Sequence, residues 1–373
     1  MSSNSFNPPV RILMGPGPSD VSLRVLQAMS KPTIGHLDPE FIKLLDEIKL
    51  SLQKVYLTKN EATVLVSGPG SLGMETCFAN LIEYTGTKAV VCVNGFFGGR
   101  MKENIERCGG EAIVVEAEWG KAIDLNKVEE ALKANPEAKV LAFVHAETST
   151  GVLNDAQRLA ALAKKYNCLS IADAVTSLGC VPVKADEWNI DAVYSCSQKG
   201  LSCPPGLSPI SFSENAMDYI KSRKTKVQNW FLDLTLLMQY WSGEKRAYHH
   251  TAPANAYYGI YEGLQMLLEE GLENSWKRHF ENHLKLKNEL EAIGLEYLVD
   301  EKDRIPHLNA VKISESVDDL AVRKRLLNEY NLEIGAGLGP LAGKIWRIGL
   351  MGYSSNYKNI TYCVNALKTV LDR

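Results

Sequence analysis

The chain has 373 residues, of which 45% are hydrophobic and 23% are charged. This balance is typical of a folded globular protein and excludes a wholly disordered, collagen-like or coiled-coil chain, and the length suits two domains. The formal net charge is −3 and the lysines and arginines are scattered, so we expect neither a nucleic-acid partner nor a membrane partner.

The sequence also carries signals of compartment. No apolar stretch approaches the roughly 18–20 residues of a membrane span. The N-terminal residues lack the apolar core of a signal peptide and the arginine-rich pattern of a transit peptide. The eight cysteines form no CxxC pair, and several lie in apolar runs, such as Cys92 in AVVCVN. We therefore expect reduced core cysteines and a cytoplasmic protein.

The chain begins with a predicted arm, because residues 1–20 are rich in proline, asparagine and serine. From about residue 60 to 215, short apolar runs alternate with stretches of helical spacing, a pattern typical of a mostly parallel sheet covered by helices on both faces. The predicted strands are TVLVS at 63–67, AVVCVN at 89–94, AIVVEA at 112–117, VLAFVH at 140–145, LSIAD at 169–173, AVYSCS at 192–197 and LSPISFS at 207–213.

The C-terminal part has a different pattern. From about residue 270 to 373, long amphipathic stretches such as DDLAVRKRLLNEY accompany two strand-like runs, HLNAVKI and KIWRIGL. This mixture predicts a smaller α+β domain. The predicted fold class is therefore α/β, with a mostly parallel mixed sheet between helices in the large domain. We expect the arm at 1–20, the large domain at 21–265 and the small domain at 266–373.

A glycine-containing turn follows the first predicted strand. Residues 67–71 read SGPGS and precede a stretch of helical spacing. Free backbone N–H groups and the helix dipole attract an anion at such a turn, which makes it a candidate phosphate site. An ordinary turn capped by Ser71 is the alternative. Because neither GxGxxG nor the Walker pattern GK[ST] is present there, a nucleotide-binding α/β protein is disfavoured.

Two charged residues follow later strands. Asp173 ends the run LSIAD, and Lys199 follows the run AVYSCS. Ligands of such sheets bind at the carboxyl ends of the strands. A carboxylate at the end of a buried strand is costly unless it is paired, and a lysine there can serve as an imine-forming amine. A capping aspartate and a solvated loop lysine are the alternative interpretations.

Taken together, these three features describe one cofactor. Pyridoxal 5′-phosphate (PLP) requires a helix N-terminus for its phosphate, a lysine for a Schiff base and a carboxylate beside its pyridine nitrogen. The carboxylate keeps that nitrogen protonated, so that the ring can accept electrons from the substrate. The sequence therefore predicts a PLP site, and no spacing of histidines, cysteines and carboxylates indicates a metal site.

The motifs resemble those of one family, the class V, fold-type I PLP-dependent aminotransferases, and within it the alanine–glyoxylate and serine–pyruvate group. The resemblance spans nearly the whole chain, and the order and spacing of its motifs make it specific. It implies the fold-type I architecture. The motifs are GPGPS at 15–19, SGPGS at 67–71, NGFFGGR at 94–100, HAETSTGV at 145–152, ADAVTSLG at 172–179, SQKGLSCPPGLSPIS at 197–211, YHHTAP at 248–253 and WRIGL at 346–350.

The resemblance implies roles for residues around the cofactor ring. Lys199 should form the Schiff base with PLP and then move the substrate α-proton, which requires a lowered pKa. Asp173 should bind the pyridine nitrogen. Val175 should pack on one face of the ring and Phe97 on the other, although some relatives have tryptophan at the second position, and a plain core role for Phe97 is the alternative.

The resemblance also implies a phosphate cup. Its donors should be the backbone amides of Gly70 and Ser71, the Ser71 hydroxyl and Gln198. Tyr248 and Thr251 should complete the cup from a neighbouring subunit, so that a homodimer is part of the active site. An interface aromatic without a cofactor contact is the alternative for Tyr248.

The substrate should meet three further residues. Arg347 is the candidate for the substrate carboxylate, because its planar guanidinium binds a carboxylate through two hydrogen bonds; a surface ion pair is its alternative. Thr148 should lie near the PLP ring oxygen or the substrate, and Gly35, beside His36, near the substrate entrance. We expect structural roles for four other polar residues, namely His249, His250, Glu75 and Glu147.

The implied reaction is a ping-pong transamination from a small amino acid, alanine or serine, to a 2-oxo acid, glyoxylate or pyruvate. Small substrates fit best because the sequence offers one convincing carboxylate-binding arginine. Ureidoglycine–glyoxylate, 3-hydroxykynurenine and 2-aminoethylphosphonate transamination are alternatives on similar scaffolds. Cysteine desulfuration is disfavoured because Cys203, the nearest candidate thiol, follows Lys199 in a tight turn. A non-catalytic module that binds PLP or an amino acid is the remaining alternative.

Overall fold

The structure is a computed structural model that describes residues 5–83, 86–243 and 245–372. The first four residues of the predicted arm lie outside the described residues. The α-helices are α1 (Leu23–Met29), α2 (Pro39–Tyr56), α3 (Gly70–Leu81), α4 (Phe96–Arg107), α5 (Leu125–Ala134), α6 (Ala156–Lys165), α7 (Glu214–Ser222), α8 (Leu234–Trp241), α9 (Ala254–Glu270), α10 (Leu272–Glu291), α11 (Asp319–Tyr330) and α12 (Tyr357–Val370).

Short 3-10 helices and strands complete the secondary structure. The 3-10 helices are Trp230–Leu232, Glu301–Asp303, Gly339–Leu341 and Gly352–Ser354. The strands are β1 (Ile12–Leu13), β2 (Ala62–Val66), β3 (Lys88–Val93), β4 (Glu111–Glu116), β5 (Val140–Val144), β6 (Ala146–Glu147), β7 (Val152–Leu153), β8 (Leu169–Asp173), β9 (Ala192–Tyr194), β10 (Ser208–Phe212), β11 (Leu308–Lys312), β12 (Leu332–Glu333), β13 (Gly335–Ala336) and β14 (Ile345–Gly349).

A seven-stranded sheet in the order β2-β10-β9-β8-β5-β3-β4 forms the centre of the large domain. Only β10 runs antiparallel to its neighbours in this sheet. All residues of β2, β5, β8, β9 and β10 are buried, because helices such as α3, α4 and α6 pack against the sheet. The seven predicted strands are all present, and the predicted mostly parallel mixed sheet is confirmed.

The sheet topology brings the candidate residues to one edge. The strands β8 and β9 are parallel, and β2 has the same direction because both β2 and β9 are antiparallel to β10. The turns that follow these three strands therefore meet at the carboxyl edge of the sheet. That edge receives the start of α3, Asp173 and the loop that carries Lys199.

The starts of α3 and α4, which lie beside the candidate residues, lack a side-chain cap, as do those of α9 and α10. In α2, α6 and α11, an aspartate accepts a hydrogen bond from a backbone N–H of the first turn, which is the usual way to begin a helix. In α3 and α4, the residues before the first turn are Pro69 and Gly95, and neither supplies a side-chain cap. Both starts can therefore accept an anion from elsewhere.

A second unit is built on the three-stranded sheet β11-β14-β13. Its apolar core consists of residues from α10, α11, α12 and these strands, and is separate from the core of the large sheet. Met14 belongs to this second core, and the preceding β1 pairs in parallel with β12. The core of the large sheet extends to Leu267, and the domain bounds stay a prediction. Within the described residues, no helix is both long and apolar enough to cross a membrane.

Candidate active site

A cavity of about 140 Å³ opens at the carboxyl edge of the large sheet. Most of the predicted site residues surround it, and they come from five segments that are distant in the sequence. The lining residues are Pro69, Gly70, Ser71, Met74, Phe97, Arg100, Val144, Ala146, Thr148, Asp173, Val175, Thr176, Tyr194, Gln198 and Lys199.

Asp173 is 3% exposed and is held by two hydrogen bonds. The backbone N–H of Val175 donates to its Oδ1 at 2.8 Å, and the hydroxyl of Tyr194 donates to its Oδ2 at 2.7 Å. Burial raises the pKa of this carboxyl to about 6, while the two hydrogen bonds act in the opposite direction. Asp173 is thus a fixed, buried acceptor that gains from a cationic partner.

Lys199 is 7% exposed, and its Nζ donates a hydrogen bond to Thr176 Oγ1 at 3.1 Å. Burial lowers the pKa of its amine, whereas the nearby Asp173 raises it. At a given pH, burial therefore leaves a larger fraction of this amine neutral and nucleophilic than in an exposed lysine. The prediction of a buried lysine facing the same cavity as a buried aspartate agrees with this geometry.

The GPGPS segment at residues 15–19 contacts both the backbone and the side chain of Lys199. The Ser19 hydroxyl donates to the Lys199 carbonyl at 2.9 Å. Gly17 has a φ of +117°, and a Cβ at this position would lie 3.0 Å from Lys199 Cε. Only glycine meets both conditions without strain, so this motif fixes the stem of the lysine side chain.

The start of α3 forms one end of the cavity, where Gly70 and Ser71 lie. A Cβ on Gly70 would come within 3.0 Å of Cys196 and within 3.2 Å of Val175, so glycine keeps the backbone close to the cavity. The buried Oε1 of Gln198 has no hydrogen-bond partner in the described structure. The free backbone N–H groups of the uncapped helix start fit a phosphate group, and of the Gln198 amide only the NH₂ group can donate to it.

Phe97 and Val175 both line the cavity. The Lys199 Nζ lies 5.8 Å from the centroid of the Phe97 ring. These positions fit the flat ring of PLP, with Asp173 available to a ring nitrogen and the α3 start to a phosphate. The donor set of the cavity therefore fits this cofactor.

Glu147, for which the sequence predicts a structural role, lies beside the start of α4. It is fully buried, and its Oε2 accepts hydrogen bonds from the N–H groups of Phe97 and Gly98 at 3.1 and 3.2 Å. Its Oε1 accepts two more from Ser149. Glu147 therefore supplies the missing cap of α4 and fixes the helix turn that carries Phe97. The apolar run VLAFVH at 140–145 precedes Glu147 and is the sequence feature that indicates burial of this glutamate.

Arg347 lies on β14 and is 7% exposed. Its Nε donates to the Ala336 carbonyl at 2.7 Å and its Nη1 to the Thr148 carbonyl at 3.2 Å. The second bond joins β14 to the loop that lines the cavity, and both bonds argue against a surface ion pair. Burial lowers the pKa of Arg347 to about 10, and Glu147 opposes this shift. Arg347 does not itself line the 140 Å³ cavity.

Besides Arg347, three predicted residues lie outside the cavity of this chain, namely Gly35, Tyr248 and Thr251. All three are exposed. The ring of His36, next to Gly35, lies 5.2 Å from the ring of Tyr248, so two of these residues belong to one surface. Their roles stay predictions. If a second subunit supplies Tyr248 to a cavity, the same surface brings Gly35 with it.

His249 and His250 pack beneath this surface. Their Nδ1 atoms are 2.8 Å apart, and His250 Nε2 is 2.7 Å from the Ser67 hydroxyl. The His249 ring stacks on Trp230 with a centroid distance of 4.7 Å. These contacts fit the structural roles that the sequence suggested. Among the described residues, no group of three or more histidine, cysteine, aspartate or glutamate side chains is placed to hold a metal ion.

A larger groove of about 680 Å³ lies at the opposite edge of the sheet, beside the amino ends of β5, β8 and β9. It contains neither the lysine nor the aspartate of the candidate site. Volume alone does not make a catalytic site, since catalysis needs converging polar groups with perturbed pKa values. The smaller cavity is therefore the candidate active site.

Comparison with known proteins agrees with this site. A family model described as aminotransferase class-V matches residues 13–353. The alanine–glyoxylate aminotransferase of Drosophila melanogaster is 38% identical, over 97% of this chain and 93% of that protein. The crystal structure of an alanine–glyoxylate aminotransferase from Nostoc sp. is 44% identical and has a TM-score of 0.97, over 100% of this chain and 98% of that chain. The ureidoglycine–glyoxylate aminotransferase structure from Bacillus subtilis is 35% identical and has a TM-score of 0.96, over 99% of this chain and 95% of that chain. The chain therefore belongs to the class-V aminotransferases.

Proposed function

We propose that the protein is a PLP-dependent transaminase that moves an amino group from a small amino acid, alanine or serine, to glyoxylate or pyruvate. One observation carries the proposal: Lys199 and Asp173 line the same small cavity, which the uncapped start of α3 closes at one end. The similarity to alanine–glyoxylate aminotransferases supports the choice of substrates.

The residues around the cavity would have separate roles in binding the cofactor and in moving the proton. Gly70, Ser71 and Gln198 would hold the phosphate of PLP, and Asp173 its ring nitrogen. When bound, PLP supplies an electron-accepting ring that makes the substrate α-proton acidic. Lys199 Nζ would take this proton from the substrate Cα, since burial lowers the pKa of the amine.

Substrate orientation would depend on Arg347, which contacts the Thr148 loop without lining the cavity. Arg347 already donates to two backbone carbonyls, which fix the plane of its guanidinium toward the Thr148 loop. A guanidinium held in this way suits a single carboxylate, which fits a small amino acid. The Thr148 side chain would lie beside the same substrate, because it lines the cavity.

Two further proposals concern the assembly and the compartment. We propose a homodimer in which Tyr248 and Thr251 complete the partner's phosphate site, because both are exposed and outside their own chain's cavity. We also propose a reducing, cytoplasmic compartment, because the eight cysteines of the sequence are free thiols and seven of them are buried.

A second candidate function is ureidoglycine–glyoxylate transamination. The Bacillus subtilis structure of that name supports it, since its fold is nearly as similar as that of the Nostoc protein. The two candidates share the acceptor and differ in the donor, so donor ranking separates them.

The test is to add amino donors singly to the purified protein with PLP and without an acceptor. The bound cofactor should absorb near ~420 nm, and conversion to its aminated form should move the band to ~330 nm. Alanine or serine should cause this shift, and glyoxylate or pyruvate should reverse it. Lys199→Ala should abolish it, whereas Lys221→Ala, on the exposed end of α7, should not. A shift with ureidoglycine alone would favour the second candidate, and no shift with any donor would refute transamination.

A further inference from the structure

Arg100 lies between the candidate active-site cavity and a groove that is distinct from the 680 Å³ groove described above. This groove has a volume of about 530 Å³ and lies beside α3 and α4. The two spaces share two lining residues, Ser71 and Arg100. Nη1 of Arg100 donates a hydrogen bond to the Ser71 hydroxyl at 3.2 Å. The guanidinium therefore lies at the phosphate end of the cavity, where the cavity meets the groove.

The position of Arg100 follows from the helix that carries it. Arg100 comes one turn after Phe96 and Phe97 in α4, and side chains three and four residues apart share a helix face. The Arg100 guanidinium carbon lies 5.0 Å from the Phe96 ring centroid and 5.2 Å from the Phe97 ring centroid. Both rings therefore hold the cation in place through its π contacts.

Arg100 forms no salt bridge within the described part of the chain, although its charge contributes to the lowered pKa of Glu103. No carboxylate there lies within salt-bridge distance of it, whereas Arg107, two turns further along α4, pairs with Glu103 at 2.5 Å. The third arginine of the groove, Arg223, donates instead to the backbone carbonyls of residues 79, 80 and 82. Of these three arginines, Arg100 alone faces both the groove and the cavity without an anionic partner.

We propose that Arg100 is the cationic anchor of the phosphate site: it supplies a charged donor to the phosphate group that the α3 start and Ser71 bind. The proposal rests on the proposed PLP function. A phosphate carries up to two negative charges, and neutral donors such as Gly70 N–H and the Gln198 amide balance them only in part. A guanidinium adds a full positive charge and a planar pair of donors.

The proposal makes a selective prediction about the ligand. A charged hydrogen bond to phosphate affects PLP and leaves pyridoxal, which lacks phosphate, unaffected. A merely structural role, such as support of the Phe97 ring, would weaken both ligands alike, because both contain the ring. Charge pairing also makes PLP affinity fall as salt concentration rises.

The experiment is a titration of cofactor-free protein, followed by the quenching of intrinsic fluorescence. The ligands are PLP, pyridoxal and inorganic phosphate as a competitor, and no turnover is required. Arg100→Gln should raise the Kd for PLP by about 10- to 100-fold, leave the Kd for pyridoxal within about twofold, and weaken competition by phosphate. Arg100→Lys should lie between wild type and Arg100→Gln, because lysine keeps the charge and loses the planar donors.

Arg107→Gln is the matched control, since it removes an arginine from the same helix and groove. It should bind PLP like the wild type, and its PLP affinity should keep the wild-type dependence on NaCl. Equal PLP binding by Arg100→Gln and wild type would overturn the inference, and so would equal losses of PLP and pyridoxal. If the wild-type protein binds neither PLP nor pyridoxal, the proposed cofactor function is wrong, and the inference about Arg100 falls with it. This result differs from a failure of the inference alone, in which the wild-type protein still binds PLP.

Discussion

The hydroxyl of Tyr194 donates to Asp173 Oδ2 at 2.7 Å, and the two residues are direct neighbours in the register of β8 and β9. Neighbouring side chains on parallel strands point to the same face of the sheet, so the sheet itself orients the aspartate. The bond lowers the pKa of Asp173, against the burial that raises it. Tyr194 is thus a positioning residue for the proposed ring-nitrogen partner.

Replacement of Tyr194 by phenylalanine should raise the pKa of Asp173 above its wild-type value of about 6. Protonated aspartate cannot pair with a protonated ring nitrogen, so PLP affinity should fall near pH 6.5 by about tenfold and recover at higher pH. The measurement is the Kd for PLP as a function of pH in cofactor-free protein. Tyr56→Phe is the control, because Tyr56 is also buried and donates to the Pro209 carbonyl. A pH-independent loss in Tyr194→Phe would contradict the proposed coupling.

Glu147→Gln should loosen the start of α4. The carboxylate accepts bonds from two N–H groups of that turn and two from Ser149, and a glutamine would face some of these donors with its own NH₂ group. The free energy of unfolding should fall by about 1–3 kcal/mol, and PLP affinity should fall because Phe97 is less well held. Urea unfolding and a PLP titration measure the two effects. Exposed Glu75, changed to glutamine, is the control, and an unchanged unfolding curve for Glu147→Gln would refute the capping role.

The sequence was sufficient for the parts of this fold that local patterns determine. Apolar runs of five to seven residues predicted each strand of the large sheet, and the ends of two of these runs located Asp173 and Lys199. The pairing of β1 with β12 was not predictable, because two-residue strands leave no periodicity. The specific capping role of Glu147 was not predictable either, because its partners are the N–H groups of residues 97 and 98, which come close to Glu147 only in the folded chain. Tyr248 and Thr251 depend on a second chain.

Buried neutral histidines should make the protein less stable in acid. Burial lowers the pKa of His279 to about 3 and that of His145 to about 4. Below about pH 6.5 the unfolded chain takes up protons on these residues and the folded chain does not, so the free energy of unfolding should fall as the pH falls from about 6.5 to 4. Asp173, with its raised pKa of about 6, acts in the opposite direction in cofactor-free protein.

His279→Gln tests this origin of the acid sensitivity. His279 Nδ1 lies 2.7 Å from the Ser275 carbonyl, and its Nε2 accepts from Gly352 N–H at 2.9 Å, so the neutral ring is fixed by both contacts. The variant should be less stable at pH 7.5. As the pH falls, the free energy of unfolding of the variant should decline less steeply than that of the wild type, and the two slopes should differ by up to about 1.4 kcal/mol per pH unit. Urea unfolding at pH 7.5, 6.5, 5.5 and 4.5 gives the slopes, and equal slopes for the two proteins would exclude His279 as a source.

Gly17→Ala should displace the lysine rather than unfold the protein. Its Cβ would lie 3.0 Å from Lys199 Cε, in a backbone conformation with φ of +117°. Because a small misplacement of a reacting group has a large kinetic effect, the single-turnover rate with alanine should fall roughly tenfold to a hundredfold. Gly206→Ala is the matched control: its φ is +133°, and a Cβ there meets no atom within 4 Å. The control should share the backbone strain and keep the wild-type rate, whereas an equal loss of rate in both variants would assign the effect to strain and not to the contact with Lys199.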